Sequence, residues 1–244
     1  MLLNDAYIFD VDGTLTAPRL PMDEEFSIFF KKFCDNNVVY LATGSDKFKV
    51  EEQVPKYILK ACMGVFTCMG NELWMDDHMI YSREFTLPSD AIAYLYDVLD
   101  DTKYPAHKSG SKNFEYRAGM LNFSTVGRDI TQEQREEYYE WDKIQGERKN
   151  ICDNFNRLFN KHNFYACVGG KISIDIQKQG EDKSQIYHYL SDHDRKIFFG
   201  DKCELGGNDY ALANLCEVKF NVDNWRETWD ILTNLIIPGQ NEKS

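Results

Sequence analysis

The stretch Phe9-Asp10-Val11-Asp12-Gly13-Thr14-Leu15-Thr16 follows directly on the apolar residues 6–8. Residues 6–9 predict a short buried strand, and two aspartates come at the point where that strand ends. In open α/β sheets, ligands bind at the carboxyl ends of the strands. This one stretch therefore indicates both a fold class and the position of a site within it.

Asp10 and Asp12 are two residues apart in an extended segment, so both carboxyl groups point the same way and converge on one centre. Two close carboxylates repel each other unless a cation joins them, and their hard oxygen ligands suit Mg²⁺. One carboxylate could then attack phosphorus while its neighbour transfers the proton. The alternative is a plain acidic turn. An EF-hand calcium loop is excluded, because the further acidic ligands of that loop do not follow.

The composition bounds the kind of protein. The 244 residues are 43% hydrophobic and 14% aromatic, enough for one large domain or two small ones. A net charge of -12 argues against a nucleic-acid or membrane-surface partner, yet not against one small phosphate-bearing substrate. The seven cysteines are scattered, so neither a zinc site nor a disulfide scaffold is indicated, and no apolar run is long enough for a membrane span. We expect a soluble protein of the reducing cytosol.

Strand-like and helix-like segments alternate at both ends of the chain. Strands are predicted over residues 6–9, 38–42, 65–68, 197–199 and 217–222. Four phenylalanines between positions 26 and 33 have the spacing of an amphipathic helix. Ser45 is predicted to cap the next helix, which Pro55 interrupts. This alternation predicts an α/β fold with a doubly wound, Rossmann-like parallel sheet.

The pattern changes after about Arg83. Strands are predicted over residues 114–124, 164–168 and 171–176. Thr131 and Gln134 have capping-box spacing and predict a long helix to about Lys161. The buried stripe of that helix is predicted to include Trp141, Ile144, Ile151, Phe155 and Leu158. We therefore predict a core built from residues 1–82 and 185–244, with an inserted α+β cap domain at 83–184.

One strand of this inserted domain carries candidate binding groups. The isoleucines of residues 171–176 alternate onto a buried face, which puts Lys171, Ser173 and Asp175 on the opposite face. A hydroxyl and a carboxylate side by side on such a face can bind sugar hydroxyls. An ordinary solvated sheet face is the alternative that the residues by themselves leave open.

The segment with Asp10 and Asp12 resembles the haloacid dehalogenase superfamily, whose members use D-x-D-G-T to form an aspartyl-phosphate. The resemblance implies that Asp10 is the nucleophile and Asp12 the general acid/base. It also implies a Mg²⁺ ion bound by Asp10, Asp12 and Asp201, since Gly200-Asp201 follows an apolar strand and, with the Gly-Gly-Asn-Asp sequence at 206–209, looks like the family's acidic metal-binding motif.

Other family positions have matches in this chain. Thr43 and Ser45 stand after the second strand, where the family places a hydroxyl against the phosphoryl group. Lys183 opens the returning core segment, where the family's lysine stabilises charge on the aspartate and the phosphate. Arg19 matches a core arginine that helps to hold the substrate.

The inserted domain resembles the cap of eukaryotic-type phosphomannomutases. In that family, a segment of the form F-R-N-G-M-L-N-x-S-P-x-G-R precedes a further arginine, and residues 114–128 resemble it, with Ala118 in place of the asparagine and Thr125 in place of the proline. The resemblance implies that Arg117, Arg128 and Arg135 hold the non-reacting phosphate, and guanidinium groups do bind phosphate bidentately.

The same resemblance implies roles for the strand at 171–176. The family has G-G-x-I-S-x-D there and uses the serine and aspartate, here Ser173 and Asp175, on the hexose. Lys171 replaces a methionine. The family's second, structural cation loop has an Asp-Pro-x-Thr pattern that residues 213–217 lack, which puts that second site in doubt.

The resemblance implies an enzyme that interconverts mannose 6-phosphate and mannose 1-phosphate through an aspartyl-phosphate and a hexose 1,6-bisphosphate. Mg²⁺ is the expected cofactor, hexose 1,6-bisphosphate the expected activator, and a homodimer through the cap the expected assembly. The first alternative is a sugar-phosphate phosphatase of the same superfamily, in which water discharges the aspartyl-phosphate. The second is a catalytically silent sugar-phosphate sensor.

Overall fold

The computed structural model describes residues 4–104 and 112–236. Its strands are β1 (Asp5–Phe9), β2 (Val38–Ala42), β3 (Gly64–Thr67), β4 (Glu72–Met75), β5 (His78–Ser82), β6 (Phe114–Arg117), β7 (Met120–Phe123), β8 (Phe164–Val168), β9 (Ile174–Lys178), β10 (Arg195–Gly200) and β11 (Val218–Asn221). Its α-helices are α1 (Glu24–Asn36), α2 (Lys47–Gln53), α3 (Lys56–Leu59), α4 (Ser89–Asp101), α5 (Gln132–Gln145), α6 (Glu147–Phe159), α7 (Gln185–Tyr189), α8 (Tyr210–Leu215) and α9 (Trp225–Ile236).

The chain divides into two compact units. The first, which we call the core, joins Met1–Ser82 to Gly180–Ser244, and the second, the cap, is Arg83–Gln179. Residues 180–184, which the sequence analysis assigned to the cap, belong to the core in this division. Across the described ranges, no helix is both long and apolar enough to cross a membrane. The cytosolic location stays a prediction.

The core has a seven-stranded sheet in the order β11-β10-β1-β2-β3-β4-β5. The first five of these strands are parallel, and β4 and β5 form an antiparallel hairpin at the edge. Because β10, β1 and β2 are neighbours, the loops after all three open at one edge of the sheet. The expected α/β fold with a doubly wound, mostly parallel sheet is confirmed.

The strands of the core are apolar on both faces, since helices cover both sides of a parallel sheet. Phe9 and Phe199 belong to one buried cluster, while Ile8 and Phe198, their chain neighbours, belong to the other. The helix predicted from the phenylalanine spacing is α1. It starts after Asp23, whose side chain accepts a hydrogen bond from the Phe26 backbone N–H, and it packs in the first cluster.

The cap has a four-stranded antiparallel sheet in the order β6-β7-β9-β8. One face of this sheet is apolar and packs against α4 and α6: Leu121 and Ile176 lie in one buried cluster with Leu95 and Phe155. Since side chains alternate along a strand, the opposite face presents the intervening polar residues.

The long helix predicted from Thr131 to about Lys161 is wrong as a single element. Its capping box is confirmed, with Thr131 and Gln134 bonded reciprocally, but the helix ends at Gly146, which has φ 67°. Glycine adopts this left-handed conformation without steric cost, so α6 can start in a new direction. The predicted buried stripe fails accordingly at Ile144 and Leu158, which are 82% and 43% exposed.

Three other local predictions also need correction. Residues 114–124 form the hairpin of β6 and β7 rather than one strand. The strand predicted over 171–176 begins only at Ile174, in β9. The helix after β2 is capped by Asp46, whose carboxylate accepts the Lys49 N–H at 3.0 Å, and not by Ser45.

We expect α1 to owe its stability to its buried aromatic face. Phe30 is fully buried and meets the ring of Phe9 edge-on at 5.0 Å, while Ile28 of the same helix is 53% exposed. Phe30→Ala should lower the free energy of unfolding by about 3–5 kcal/mol. The matched change Ile28→Ala should alter it by less than about 0.5 kcal/mol. Urea denaturation followed by circular dichroism measures both, and equal losses would contradict the packing described.

Candidate active site

The loop after β1 places the first aspartate of the D-x-D-G-T segment in a buried position. The Asp10 backbone N–H donates to the Phe199 carbonyl at 2.9 Å, so the ladder between β1 and β10 extends to this residue. Its carboxyl group is therefore held at the edge of the sheet, and the residue is only 3% exposed.

Lys183 lies between two aspartates. Its Nζ donates to Asp10 Oδ1 at 2.5 Å and to Asp209 Oδ1 at 2.6 Å, and neither Lys183 nor Asp209 has any exposed surface. Burial by itself lowers the pKa of the lysine, but the two negative charges outweigh it and raise that pKa above the usual range. Lys183 is therefore a fixed positive charge beside Asp10.

Three carboxylates converge at this point. One oxygen from each of Asp10, Asp201 and Asp209 lies within 4.8 Å of the other two. Asp201 follows β10, and Asp209 directly precedes α8. Gly13 makes room for the cluster, because a Cβ there would overlap the Asp201 carboxylate, and its φ of +90° suits glycine alone.

The charges of this cluster do not balance. Three carboxylates face two ammonium groups: that of the buried Lys183 and that of the exposed Lys202, whose Nζ lies 3.9 Å from Asp201 Oδ2. One negative charge is left over, and burial raises the pKa of both Asp10 and Asp201. Hard oxygen donors with an excess of negative charge fit a divalent cation such as Mg²⁺.

The Asp12 carboxylate lies outside that group of three and has its own partners. Its Oδ1 accepts from the Gln53 side-chain amide at 2.8 Å and from the Arg19 backbone N–H at 2.9 Å. Its Oδ2 accepts from Ser45 Oγ at 3.3 Å. The structure thus brings two of the predicted metal ligands, Asp10 and Asp201, together with Asp209, while a metal-binding role for Asp12 stays a prediction.

The remaining predicted core residues lie on the loops around Asp12. Thr43 directly follows β2, is 1% exposed, and its Oγ1 accepts the Ser45 N–H at 3.0 Å. Met69 donates its backbone N–H to the Thr43 carbonyl at 3.0 Å and so supports this loop. Arg19 is exposed, with a left-handed φ of 62°, and only its backbone N–H is used on Asp12.

The polar face of the cap sheet carries a row of aligned side chains. Glu115 on β6 pairs in register with Asn122 on β7, which pairs in turn with Asp175 on β9. Aligned neighbours of this kind are within side-chain reach. The Asn122 amide donates to Asp175 Oδ1 accordingly. Burial raises the pKa of Asp175.

The three predicted phosphate-binding arginines of the cap lie around this row. Arg117 donates to both oxygens of Glu115 at 3.1 Å, and Arg128 pairs with the same carboxylate and also donates to Asn122. Arg135 donates from its guanidinium group to the Arg128 carbonyl. The side chains of Arg117 and Arg128 are 15% and 23% exposed, so they can still contact a ligand.

Ser173 and Asp175 are tightly placed beside Gly169. A Cβ at Gly169 would come within 2.6 Å of Ser173 Oγ and 2.8 Å of Asp175 Oδ2. The loop that leads to Ser173 is held by Arg148, whose buried guanidinium pairs with Asp142 at 2.8 Å and donates to the Ser173 carbonyl at 3.3 Å. Both predicted sugar-binding side chains therefore have defined positions in the cap.

Four of these residues are not among the predicted site residues: Asp209, Glu115, Asn122 and Gln53. Asp209 belongs to the Gly-Gly-Asn-Asp sequence at 206–209, which resembles the family's acidic motif, but it does not follow a predicted strand as Asp10 and Asp201 do. Glu115 and Asn122 alternate with apolar residues, so their shared face was readable once the hairpin was recognised. Gln53 had no signal, because its contact with Asp12 joins residues 41 positions apart.

A family model of eukaryotic phosphomannomutases matches residues 26–238. The chain belongs to the eukaryotic phosphomannomutase family. The resemblance drawn from the cap motif is thereby confirmed, and the matched range includes Lys183, Asp201 and Asp209 as well as the cap arginines.

Relatives and solved structures agree with this membership. Phosphomannomutases of Spinacia oleracea and Triticum aestivum are 35% and 34% identical to the chain over 212 and 211 residues, which is 84% of the chain and 84% of each relative. A haloacid dehalogenase-like hydrolase from Bacteroides thetaiotaomicron has the same fold, with a TM-score of 0.66 at 12% identity over 95% of this chain and 99% of that one. Plasmodium falciparum IMP-nucleotidase gives 0.63 at 14% identity, over 97% and 69%.

If the three carboxylates hold a divalent cation, removing any one of them should weaken the binding of that cation. Asp201→Asn and Asp209→Asn each remove one negative charge from the group, so the affinity for Mg²⁺ should fall by at least about tenfold. Isothermal titration calorimetry on the purified protein, with Mn²⁺ as a second probe, measures this. Asp223→Asn, on an exposed residue of the same unit, is the matched control and should bind as the unmodified chain does. Unchanged binding in both cluster variants would exclude this cation site.

Proposed function

We propose that the protein is a phosphomannomutase that interconverts mannose 6-phosphate and mannose 1-phosphate. The observation that carries the proposal is the cluster of Asp10, Lys183, Asp201 and Asp209, in which Asp10 and Asp201 follow the adjacent parallel strands β1 and β10. A buried carboxylate beside a fixed ammonium group suits a nucleophile that accepts a phosphoryl group, and membership of the family supplies the substrate class.

In the first half of the proposed cycle, the phosphorylated Asp10 gives its phosphoryl group to the free hydroxyl of the hexose phosphate. Asp12 takes the proton of that hydroxyl as the new phosphorus–oxygen bond forms and the bond to Asp10 breaks. The product of this half is a hexose 1,6-bisphosphate. Lys183 stays paired with the Asp10 carboxylate that is released.

In the second half, the bisphosphate presents its other phosphate to Asp10. The Asp10 carboxylate attacks phosphorus, the bond to the sugar oxygen breaks, and Asp12 returns its proton to that oxygen. The isomeric monophosphate leaves and Asp10 is again phosphorylated, so that atoms and protons balance over the cycle. Hexose 1,6-bisphosphate is accordingly the activator that phosphorylates resting enzyme.

Charge on the transferring group must be neutralised, since phosphoryl transfer depends mainly on positioning and electrostatics. Lys183 does so beside Asp10, while the hydroxyl groups of Thr43 and Ser45 and the guanidinium group of Arg19 are proposed to bind phosphoryl oxygens. A Mg²⁺ ion would be held by Asp10, Asp201 and Asp209, with Asp12 as the further predicted ligand, and would supply further positive charge when bound.

The cap is proposed to bind the phosphate that is not transferred and the sugar ring. Arg117, Arg128 and Arg135 offer three positive charges, and Glu115 holds the first two side chains in place before the anion arrives. Ser173 and Asp175 then bind hexose hydroxyls. A homodimer through the cap remains a proposal from the family resemblance, and nothing in the acidic composition favours a nucleic-acid or membrane partner.

Proton NMR of the anomeric signals tests the proposed reaction. Mannose 1-phosphate incubated with the protein, Mg²⁺ and catalytic hexose 1,6-bisphosphate should convert to mannose 6-phosphate with little inorganic phosphate released. Asp10→Asn should slow the conversion about a thousandfold or more. Stoichiometric phosphate release would instead identify a phosphatase, and binding without turnover would identify a sensor.

The two glycines before Lys171 provide a matched test of the sugar-binding assignment. Gly169→Ala pushes a methyl group against Ser173 Oγ and Asp175 Oδ2, whereas a Cβ at Gly170 meets nothing within 4 Å. Gly169→Ala should therefore lower kcat/KM for mannose 1-phosphate by about tenfold to a hundredfold, because it displaces both binding groups. Gly170→Ala should leave it within about twofold. Similar values for the two variants would argue against a substrate role for this pair.

A further inference from the structure

Gln53 has a buried polar side chain and no role in the proposed cycle as described above. It is the last residue of α2 and only 5% exposed. Its side-chain Nε2 donates to Asp12 Oδ1 at 2.8 Å and to Thr16 Oγ1 at 3.1 Å. Only the NH₂ end of the amide can donate to a carboxylate, so the orientation of the side chain is defined by the contact itself.

The bond from Gln53 is one of three that hold the Asp12 carboxylate. Oδ1 receives Gln53 and the Arg19 N–H at 2.9 Å, while Oδ2 receives the Ser45 hydroxyl at 3.3 Å. Arg19 reaches Asp12 from a left-handed backbone conformation, φ 62°, that is costly for any residue except glycine. Donors on both oxygens fix the rotation of the carboxyl group and not only its position.

We propose that Gln53 is a positioning residue for Asp12: it keeps the Asp12 carboxylate aimed for proton transfer to and from the sugar oxygen. The inference rests on the proposed function, because it assigns Gln53 through the acid/base role of Asp12. The bond is to a charged acceptor and has little water to replace it, so its loss should be felt in the rate rather than compensated by solvent.

The first test is a double-mutant cycle on the full chain with Mg²⁺ and catalytic hexose 1,6-bisphosphate. Gln53→Met has nearly the same length but no donor, and it should lower kcat for mannose 1-phosphate conversion about tenfold to a hundredfold with little change in KM. In an Asp12→Asn background, the same change should cost less than about twofold, since its target is already lost. Equal losses in the two backgrounds, or no loss in either, would overturn the inference.

A matched variant separates positioning from ordinary packing. Thr16→Val removes the other partner of the Gln53 amide, together with the 3.3 Å bond from the Thr16 hydroxyl to the Val11 carbonyl, while the bond from Gln53 to Asp12 is kept, so kcat should stay within about threefold of the unmodified chain. Gln53→Glu presents an acceptor to Asp12 and should be at least as slow as Gln53→Met. If Thr16→Val is as slow as Gln53→Met, Gln53 merely ties the loop and the inference fails.

Comparing two phosphate donors with different leaving groups distinguishes a role through Asp12 from a purely structural role, because a structural role would slow Asp10 phosphorylation by both donors equally. When p-nitrophenyl phosphate phosphorylates Asp10, the leaving group is p-nitrophenolate, which needs no proton. When mannose 1,6-bisphosphate does so, the leaving group is a sugar oxygen, which must be protonated. Gln53→Met should slow single-turnover phosphorylation by the bisphosphate much more than by the aryl phosphate, and equal slowing would contradict a role through Asp12.

Failure of the proposed function is distinguishable from failure of this inference. If Asp12→Asn by itself leaves mannose 1-phosphate conversion unchanged, the acid/base role of Asp12 is wrong. If Asp12→Asn is slow but Gln53→Met is as fast as the unmodified chain, only the inference about Gln53 is wrong. Gln145→Met, the same replacement at an exposed cap position, controls for the substitution itself.

Discussion

Lys183 donates to two buried carboxylates, and much of the site depends on that arrangement. Asp10, Lys183 and Asp209 come from three separate segments of the core, and all of them are almost entirely removed from water. Burying one carboxylate without a partner is strongly unfavourable, so each of the three groups requires the others. The partly exposed Asp201 adds a further negative charge, and the three carboxylates together could hold a divalent cation.

The cap achieves order by a different means. Its charged groups stay partly exposed, and their geometry comes from strand register: Glu115, Asn122 and Asp175 are aligned across three strands, and Arg128 spans the first two of these residues. Side chains that are already held need little further ordering when an anion binds. In both units the charged side chains are therefore held in position before a ligand binds: by burial in the core, and by strand register in the cap.

Local signals predicted much of this molecule and failed at specific points. The apolar run before Asp10, the phenylalanine spacing of α1 and the capping box at Thr131 depend on neighbouring residues, and each was correctly read. The break at Gly146 was not, because one glycine does not by itself end a helix, and the two helices on either side of it pack in different buried clusters, Tyr138 of α5 in one and Phe155 of α6 in the other. Ser45 failed as a helix cap because Asp46, one residue later, is an equally good capping residue, and the hydroxyl of Ser45 is bonded to Asp12 instead.

The opening segment, Phe9 to Thr16, placed a pair of carboxylates at the end of a strand, and the alternation of strand-like and helix-like segments along the chain determined the fold class, because strand periodicity and the position of a loop are local properties. The matching of cap arginines to a family motif was likewise a property of the sequence. Only the tertiary structure decided which carboxylates lie together. Asp10 lies with Asp201 and Asp209, whereas the Asp12 carboxylate accepts a hydrogen bond from the Gln53 side chain. The reason is that contacts between residues far apart in the chain depend on how strands and helices pack, and sequence spacing carries no record of that packing.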